Sequence, residues 1–307
     1  MSRIVITDCD HPSIELEQSI FRAAGHDVVL AQCRTADEVI AAGQGAVALL
    51  AQYAPITDAV MAALPEFRVV GRYGVSLDNI ELPAAARHDI TVVNVPDYCI
   101  DEVADHAIAL MLGLTRGIVA LDRAIHAGVW DFRSGGELRR ASGMRLGIIG
   151  LGRIGAAIAR RALALRYQVM AADPRSPAVE GVPLVSLEEL LRTSDIVSLS
   201  AWLDPSTRHI LDGAALRVMK PGAFLVNTSR GGLIDQPALV EALRSGHLGG
   251  AAIDVLEREP IAQDDPLLTL PNVILTPNTA FNSRESLVEM KTRVAEGIVA
   301  AIEDRAS

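Results

Sequence analysis

The sequence predicts an α/β protein with two doubly wound parallel sheets. Three observations predict this. Short apolar runs alternate with helix-like segments, the order that gives parallel strands joined by helical crossovers. A glycine-rich stretch, Arg145 to Gly155, restarts that alternation in mid-chain. The 307 residues are 50% hydrophobic and 21% charged, a globular composition with length enough for two cores.

The elements follow in order. Residues 3–7 are expected as a strand and 13–24 as a helix. Strands follow at 28–31, 46–50, 69–71 and 91–93, with helices at 36–42, 57–64 and 84–87 between them. This unit ends near Val95-Pro96. The segment 102–115 reads as a helix whose apolar residues run all round (Val103, Ala107, Ile108, Leu110, Met111, Leu112), which predicts burial between the units. Residues 116–130 continue as a second helix, and 131–142, polar and glycine-bearing, as an arm or loop. The second unit has expected strands at 146–149, 168–172, 196–199, 223–227, 251–254 and 273–276. Helices are expected from Ala156 onward and at 187–192, 213–218 and 237–245, and one long helix closes the chain at 285–303.

Gly150, Gly152 and Gly155 fit G-x-G-x-x-G, after the apolar Leu146, Ile148 and Ile149 and before a run of small residues. The first glycine permits the tight turn out of the strand. The second lets backbone approach a pyrophosphate. The third lets helix and sheet pack closely, with the helix N-terminus facing the negative charge. Asp173 lies 18 residues beyond Gly155 at the end of the next strand. An acid there accepts hydrogen bonds from an adenosine ribose and repels a 2′-phosphate. The pattern predicts a dinucleotide site with NAD favoured over NADP, a preference that Arg175 and Ser176 weaken. The bland alternative is an ordinary glycine-rich strand–helix turn.

The formal net charge is −10, and no long basic run is present, which argues against nucleic acid and anionic membrane surfaces as partners. Arg139-Arg140 and Arg160-Arg161 read as solvated faces. Cys9, Cys33 and Cys99 form neither a metal spacing nor a disulfide framework and suggest a reducing compartment. The apolar run at the N-terminus is too short for a signal peptide and reads as a strand. No stretch is suited to spanning a membrane.

Further stretches carry a recognisable pattern: Gly71-Arg-Tyr-Gly-Val-Ser-Leu-Asp-Asn79, Asn94-Val-Pro-Asp-Tyr98, Glu102-Val-Ala-Asp-His106, Val226-Asn-Thr-Ser-Arg-Gly-Gly232, Ala251-Ala-Ile-Asp-Val-Leu-Glu-Arg-Glu-Pro260 and Leu275-Thr-Pro-Asn-Thr-Ala-Phe281. With the glycine loop, they resemble the D-isomer-specific 2-hydroxyacid dehydrogenases, which include phosphoglycerate dehydrogenases and the C-terminal-binding-protein corepressors. The resemblance implies a Rossmann cofactor domain at 99–282 inserted into a flavodoxin-like substrate domain at 1–98 and 283–307. It implies an active site in the cleft between the domains, NAD as cofactor, a small anionic substrate, and a cytoplasmic homodimer paired through the cofactor domains and partly through the arm.

It also implies roles for particular residues. Arg230 is the expected catalytic arginine; a guanidinium fork suits a carboxylate and its neighbouring oxygen, and the end of a strand is where such sheets bind ligands. Tyr73, Val75 and Ser76 belong to the expected substrate loop, with serine where the family more often has glycine. Glu259 matches the glutamate that orients the catalytic histidine, and Asp254 the residue near the nicotinamide carboxamide. Val103, Arg153, Ile154, Thr228, Ser229, Arg230 and Asn278 are expected cofactor contacts by motif position, beside Gly150, Gly152, Gly155 and Asp173.

Asn278 is the main departure, because it stands where the family has histidine in Thr-Pro-His. An amide donates and accepts hydrogen bonds but exchanges no proton near neutral pH, and acid–base catalysis supplies roughly 10²–10⁴-fold in rate. Three explanations stay open: an engineered substitution that traps a complex, a different base or a substrate that needs none, or dinucleotide binding without turnover. A phosphonate or an aldehyde hydrate is an example of a substrate with its own acidity. His106 reads as structural, and Tyr73, Tyr98 and Arg72 lie nearer the expected cleft. Trp202 replaces a proline usual in the family, along the edge of the cofactor. The expected activity is NAD-dependent interconversion of a D-2-hydroxy acid and its 2-oxo acid, with a dinucleotide-responsive binding protein as the runner-up.

Overall fold

Strands of three to six mostly apolar residues, each closed by a turn, build the first sheet. The computed structural model describes residues 2–175 and 178–306, so Ser176 lies outside the described residues. The chain divides into two units, residues 1–98 with 283–307, and residues 99–282.

The first unit runs β1 (Arg3–Ile6), α1 (Glu15–Ala23), β2 (Asp27–Leu30), α2 (Ala36–Ala42), β3 (Ala46–Ala51), α3 (Asp58–Ala63), β4 (Val69–Arg72), α4 (Leu82–Arg87) and β5 (Thr91–Val93). All pairings are parallel, in the order β2-β1-β3-β4-β5, the flavodoxin-like arrangement. Local chemistry sets the helix starts. Thr35 and Glu38 form a reciprocal capping box on α2, and the Thr57 hydroxyl caps α3. A C-terminal helix, Arg284–Ala306, packs on this sheet through buried Met290, Val294 and Ile298. A Cβ at Gly71 of β4 would collide with Ile298, and one at Gly297 would lie 2.7 Å from Val93 Cγ1. Glycine at both positions lets helix and sheet approach.

The second unit runs α5 (Ile100–Thr115), α6 (Ile118–His126), two 3-10 turns (Phe132–Gly135 and Ala141–Gly143), β6 (Arg145–Ile149), α7 (Arg153–Ala164), β7 (Gln168–Ala172), α8 (Leu187–Thr193), β8 (Ile196–Leu199), α9 (Gly213–Val218), β9 (Ala223–Asn227), α10 (Gln236–Arg244), β10 (Leu248–Ile253) and β11 (Val273–Leu275). Its six strands are parallel in the order β11-β10-β9-β8-β6-β7. One core cluster joins the sheet to α8, α9 and α10, and the other joins it to α5 and α7. From β6 the chain steps to β7 on one side, then returns to β8 on the other. The loops after β6 and β8 therefore diverge, which opens a ligand crevice at that sheet edge.

The two helices after the first unit differ from expectation. α5 is not apolar all round: Asp101, Asp105 and Ala109 form an exposed row, and both acids pair with Arg161 of α7, at 2.7 and 2.6 Å. The expected helix 116–130 is shorter at both ends. Gly117 (φ +60°) breaks it from α5, and Gly128 (φ +81°) follows its last turn. Among the described residues, no helix is long and apolar enough to cross a membrane.

Candidate active site

The crevice begins at the glycine turn. Gly150 has φ +91°, and a Cβ there would lie 2.6 Å from the backbone nitrogen of Ala201, beyond β8. Only glycine fits both constraints. A Cβ on Gly155 would strike the carbonyl oxygen of Gly150, so α7 can leave the sheet edge only because that residue is bare. A Cβ on Gly152 would meet nothing within 4 Å, so this glycine leaves an open cradle against the backbone. Gly152 is the N-cap of α7 and supplies no side-chain cap. The first N–H groups, with Arg153 and Ile154 at the helix start, thus have no capping side chain, the arrangement that binds phosphate.

Asp173 sits at the end of β7. One oxygen accepts the Leu151 N–H and the other the Arg175 N–H, each at 2.8 Å. The same carboxylate that suits a ribose also shapes the glycine turn. Across the switch point, the Ser200 and Thr228 hydroxyls, beyond β8 and β9, are buried with no hydrogen-bond partner among the described residues. Ser229 is committed, its hydroxyl donating to the Ala201 carbonyl at 2.7 Å. Val103 is buried on α5. The glycine cradle, the uncapped helix and the unsatisfied hydroxyls fit a dinucleotide.

Arg230 follows β9 in a turn built by Asn227, a fully buried residue to which the sequence assigned no role. The Asn227 side chain donates to the Arg230 carbonyl at 2.9 Å and accepts the Ser229 N–H at 3.0 Å. The polar residue ending an apolar strand was the available signal. The Arg230 guanidinium donates to the Ser229 carbonyl at 2.6 Å. A Cβ on Gly231 would strike the backbone of Leu256 and Glu257, so the turn lies flat on the segment that leads to Glu259.

Glu259 bridges that segment to the next loop. Its carboxylate accepts the Leu256 N–H and the Asn278 side-chain N–H, both at 2.9 Å. Asn278 has φ +49°, a left-handed conformation that asparagine tolerates. Its backbone N–H donates to the Asp254 carbonyl at 2.7 Å. The Asp254 carboxylate is buried and accepts from Thr276 Oγ1, Thr279 N and Ala280 N at 2.6, 2.9 and 3.0 Å. Its task here is to hold the Asn278 loop. His106 Nε2 lies 3.1 Å from Thr276 Oγ1 and 3.6 Å from Asp254, which makes it a support for the same loop. Arg230, Glu259 and Asn278 thus leave one edge of three adjacent strands.

In the first unit, the substrate-loop expectation needs a correction. The Tyr73 side chain is buried and its hydroxyl donates to Glu17 at 2.7 Å. Burial, reinforced by the Glu17 carboxylate, pushes this phenol far above its ordinary range. Tyr73 therefore serves neither as a proton donor nor as a side-chain contact for substrate. Ser76 is also buried, with its hydroxyl accepting the Asp78 N–H at 3.2 Å, and the Val75 carbonyl accepts from Asn94 at 2.7 Å. Trp202 is more than half exposed, beyond β8.

A parallel α/β unit with a glycine cradle and an acid at its switch point defines a dinucleotide-binding protein. The comparisons with known proteins give the particular family. Residues 108–280 match the D-isomer specific 2-hydroxyacid dehydrogenase, NAD binding domain. A glyoxylate reductase from Korarchaeum cryptofilum is 42% identical over 80% of this chain and 76% of its own length. A D-3-phosphoglycerate dehydrogenase from Mycobacterium leprae is 37% identical over 94% of this chain and 56% of its own. The chain thus spans little more than half the length of that relative. Among solved structures, an acyclic imino acid reductase (Bsp5) in complex with NADPH and D-Arg superposes with a TM-score of 0.90, at 27% identity, covering 99% of this chain and 98% of that one. The chain belongs to the D-isomer specific 2-hydroxyacid dehydrogenase family, and its second unit carries the NAD-binding domain.

Proposed function

We propose that this oxidoreductase interconverts a small D-2-hydroxy acid and its 2-oxo acid, with NAD as its coenzyme. The supporting observation is the Asn227-built turn, which sends Arg230 out from the same sheet edge as Glu259 and Asn278. Gly150, Gly152, Arg153, Ile154 and Gly155 would hold the pyrophosphate, and Asp173 the adenosine ribose. Val103, Thr228, Ser229, Arg230, Asp254 and Asn278 would complete the coenzyme contacts. When bound, the nicotinamide exchanges a hydride with the substrate's C2. Arg230 holds the carboxylate bidentately. Glu259 fixes the Asn278 amide, and Asn278 contacts the C2 substituent without exchanging its proton. In the first unit, backbone groups of Val75 and Ser76 are the candidates for binding an anion.

The proposed assembly is a cytoplasmic homodimer that binds neither nucleic acid nor membrane. Ile118, Ile125, Val129, Trp130 and Phe132 on α6 and the arm are exposed apolar side chains in one short segment, which suits pairing with a second copy. The Bsp5 protein is an acyclic imino acid reductase, so this fold does not confine the acceptor to a carbonyl.

A second reading, coenzyme binding without turnover, is favoured by Asn278 alone. A substrate whose own acidity replaces the base, such as a phosphonate or an aldehyde hydrate, is the third. Nicotinamide absorbance followed with NADH and a panel of 2-oxo acids separates them. Turnover is expected. Tight coenzyme binding with no turnover on any candidate supports the binding-protein reading and overturns the enzyme.

A further inference from the structure

The amide of Asn278 has a fixed direction. Its nitrogen donates to Glu259 Oε2 at 2.9 Å, and an ionised carboxylate only accepts, so the nitrogen and not the oxygen faces Glu259. The opposite end of the amide is Oδ1, a pure acceptor. Asn278 is exposed, so this acceptor is open to a ligand at the edge that carries Arg230. The Asp254-bound loop and the Leu256–Glu259 bond hold both partners of the amide in register. Donation to a carboxylate polarises the amide and strengthens Oδ1 as an acceptor.

A 2-oxo acid presents the wrong partner to that oxygen. Its C2 carbonyl has no hydrogen to donate, and hydride addition makes an alkoxide that needs a proton in the transition state. Oδ1 cannot supply one. A 2-imino acid, protonated as C=NH₂⁺, presents N–H groups that Oδ1 accepts. We propose that this site reduces protonated 2-imino acids, formed from a 2-oxo acid and ammonia or a primary amine, to D-2-amino acids. The inference rests on the proposed roles of Arg230 and the NAD site.

The step balances without a protein acid. A 2-oxo acid and ammonium condense in solution, forming C=NH₂⁺ and releasing water. A dihydronicotinamide supplies hydride to C2, and the C=N π pair moves onto nitrogen. The nitrogen becomes a neutral amine with the protons it brought, and takes another from water after release. Arg230 holds the carboxylate and Asn278 Oδ1 holds one N–H, so the chain's residues orient the acceptor and move no proton.

The first test uses the protein with NADH and glyoxylate or pyruvate, in sodium chloride against ammonium or methylammonium chloride at equal ionic strength. Products are identified by mass spectrometry. The amine should raise turnover by about 10²-fold or more, on the scale of a missing general acid, and the nitrogen should appear in the product. Hydroxy acid formed at a rate indifferent to amine overturns the proposal and leaves the 2-hydroxy acid reading standing. No product in either salt, with NADH binding seen by calorimetry, overturns both. The second test reads binding alone: with oxidised coenzyme present, a D-amino acid should bind at least about tenfold more tightly than its 2-oxo acid (1.4 kcal/mol). Equal or reversed affinity overturns the proposal. In Asn278→His, products should shift toward the hydroxy acid; an unchanged ratio in a folded variant removes Asn278 from the argument.

Discussion

Asp254, at the end of β10, accepts the Thr276 hydroxyl, at the end of β11, at 2.6 Å, and the same carboxylate takes two backbone N–H groups of the loop carrying Asn278. An amide at this place has one acceptor oxygen for three donors. Asp254→Asn should therefore cost about 1–3 kcal/mol, the range for a buried group left unsatisfied. Denaturant unfolding measures it. A midpoint equal to that of the parent would mean that the loop holds itself.

The glycine turn offers a paired test. Gly150→Ala adds a Cβ at φ +91° and 2.6 Å from Ala201 N, so the variant should melt at a lower temperature. Gly152→Ala meets no protein atom within 4 Å. It should unfold within about 1 kcal/mol of the parent and lose about tenfold or more in coenzyme affinity. Undiminished NADH binding by Gly152→Ala would show that the cradle holds something else.

Acid stability should come in two steps. Burial lowers the proton affinity of His11, beside which the Asp10 attraction is smaller. Below its ordinary value of 6.5 the unfolded chain takes a proton that the native one refuses, so stability falls there as pH falls. His11→Gln should flatten that limb. Asp195 is opposed by burial, yet Lys220, Arg139 and the Arg145 N–H outweigh it and hold its carboxyl below the usual value of 3.8. Its contribution is full above 3.8 and is lost as pH falls through the lowered value. Asp195→Asn should cost about 1–3 kcal/mol at neutral pH, below the figure for a fully buried pair because both cations are more than a third exposed. An unchanged acid limb in either variant would show that another group sets it.

Trp130 and Phe132 are 91% and 85% exposed on the arm. Replacing both with serine should convert a dimer into monomers in sedimentation velocity without lowering the melting point of the monomer unit. A parent protein that sediments as a monomer would overturn the dimer.

The alternation of apolar runs located the strands well, because the central strands are buried on both faces and need no partner elsewhere to be recognised. β5, β8 and α9 fall at the expected residues. The glycine turn was legible for a related reason: its requirements are local and steric. Side-chain directions were not. Tyr73 looked like a site residue until Glu17, on α1, took its hydroxyl, and Glu17 is buried because Lys291 sits 3.2 Å away on the C-terminal helix. No local pattern joins those three positions. His106 and Thr276 are also distant in sequence, and their contact gives the histidine its supporting place. The residue types of the Arg230, Glu259 and Asn278 set were readable, but the direction of the Asn278 amide needed the carboxylate that fixes it.

The helix that crosses Gly71 and Gly297 has a bearing on how the polypeptide matures during translation. All strands of the second unit have left the ribosome by residue 275, whereas the first sheet still lacks the helix over β4. Until residues 284–306 emerge, that face is bare hydrocarbon and the Glu17 carboxylate has no ammonium beside it. The segment made first is thus the last to be finished, and a nascent chain stalled before residue 284 exposes the surface that chaperones bind.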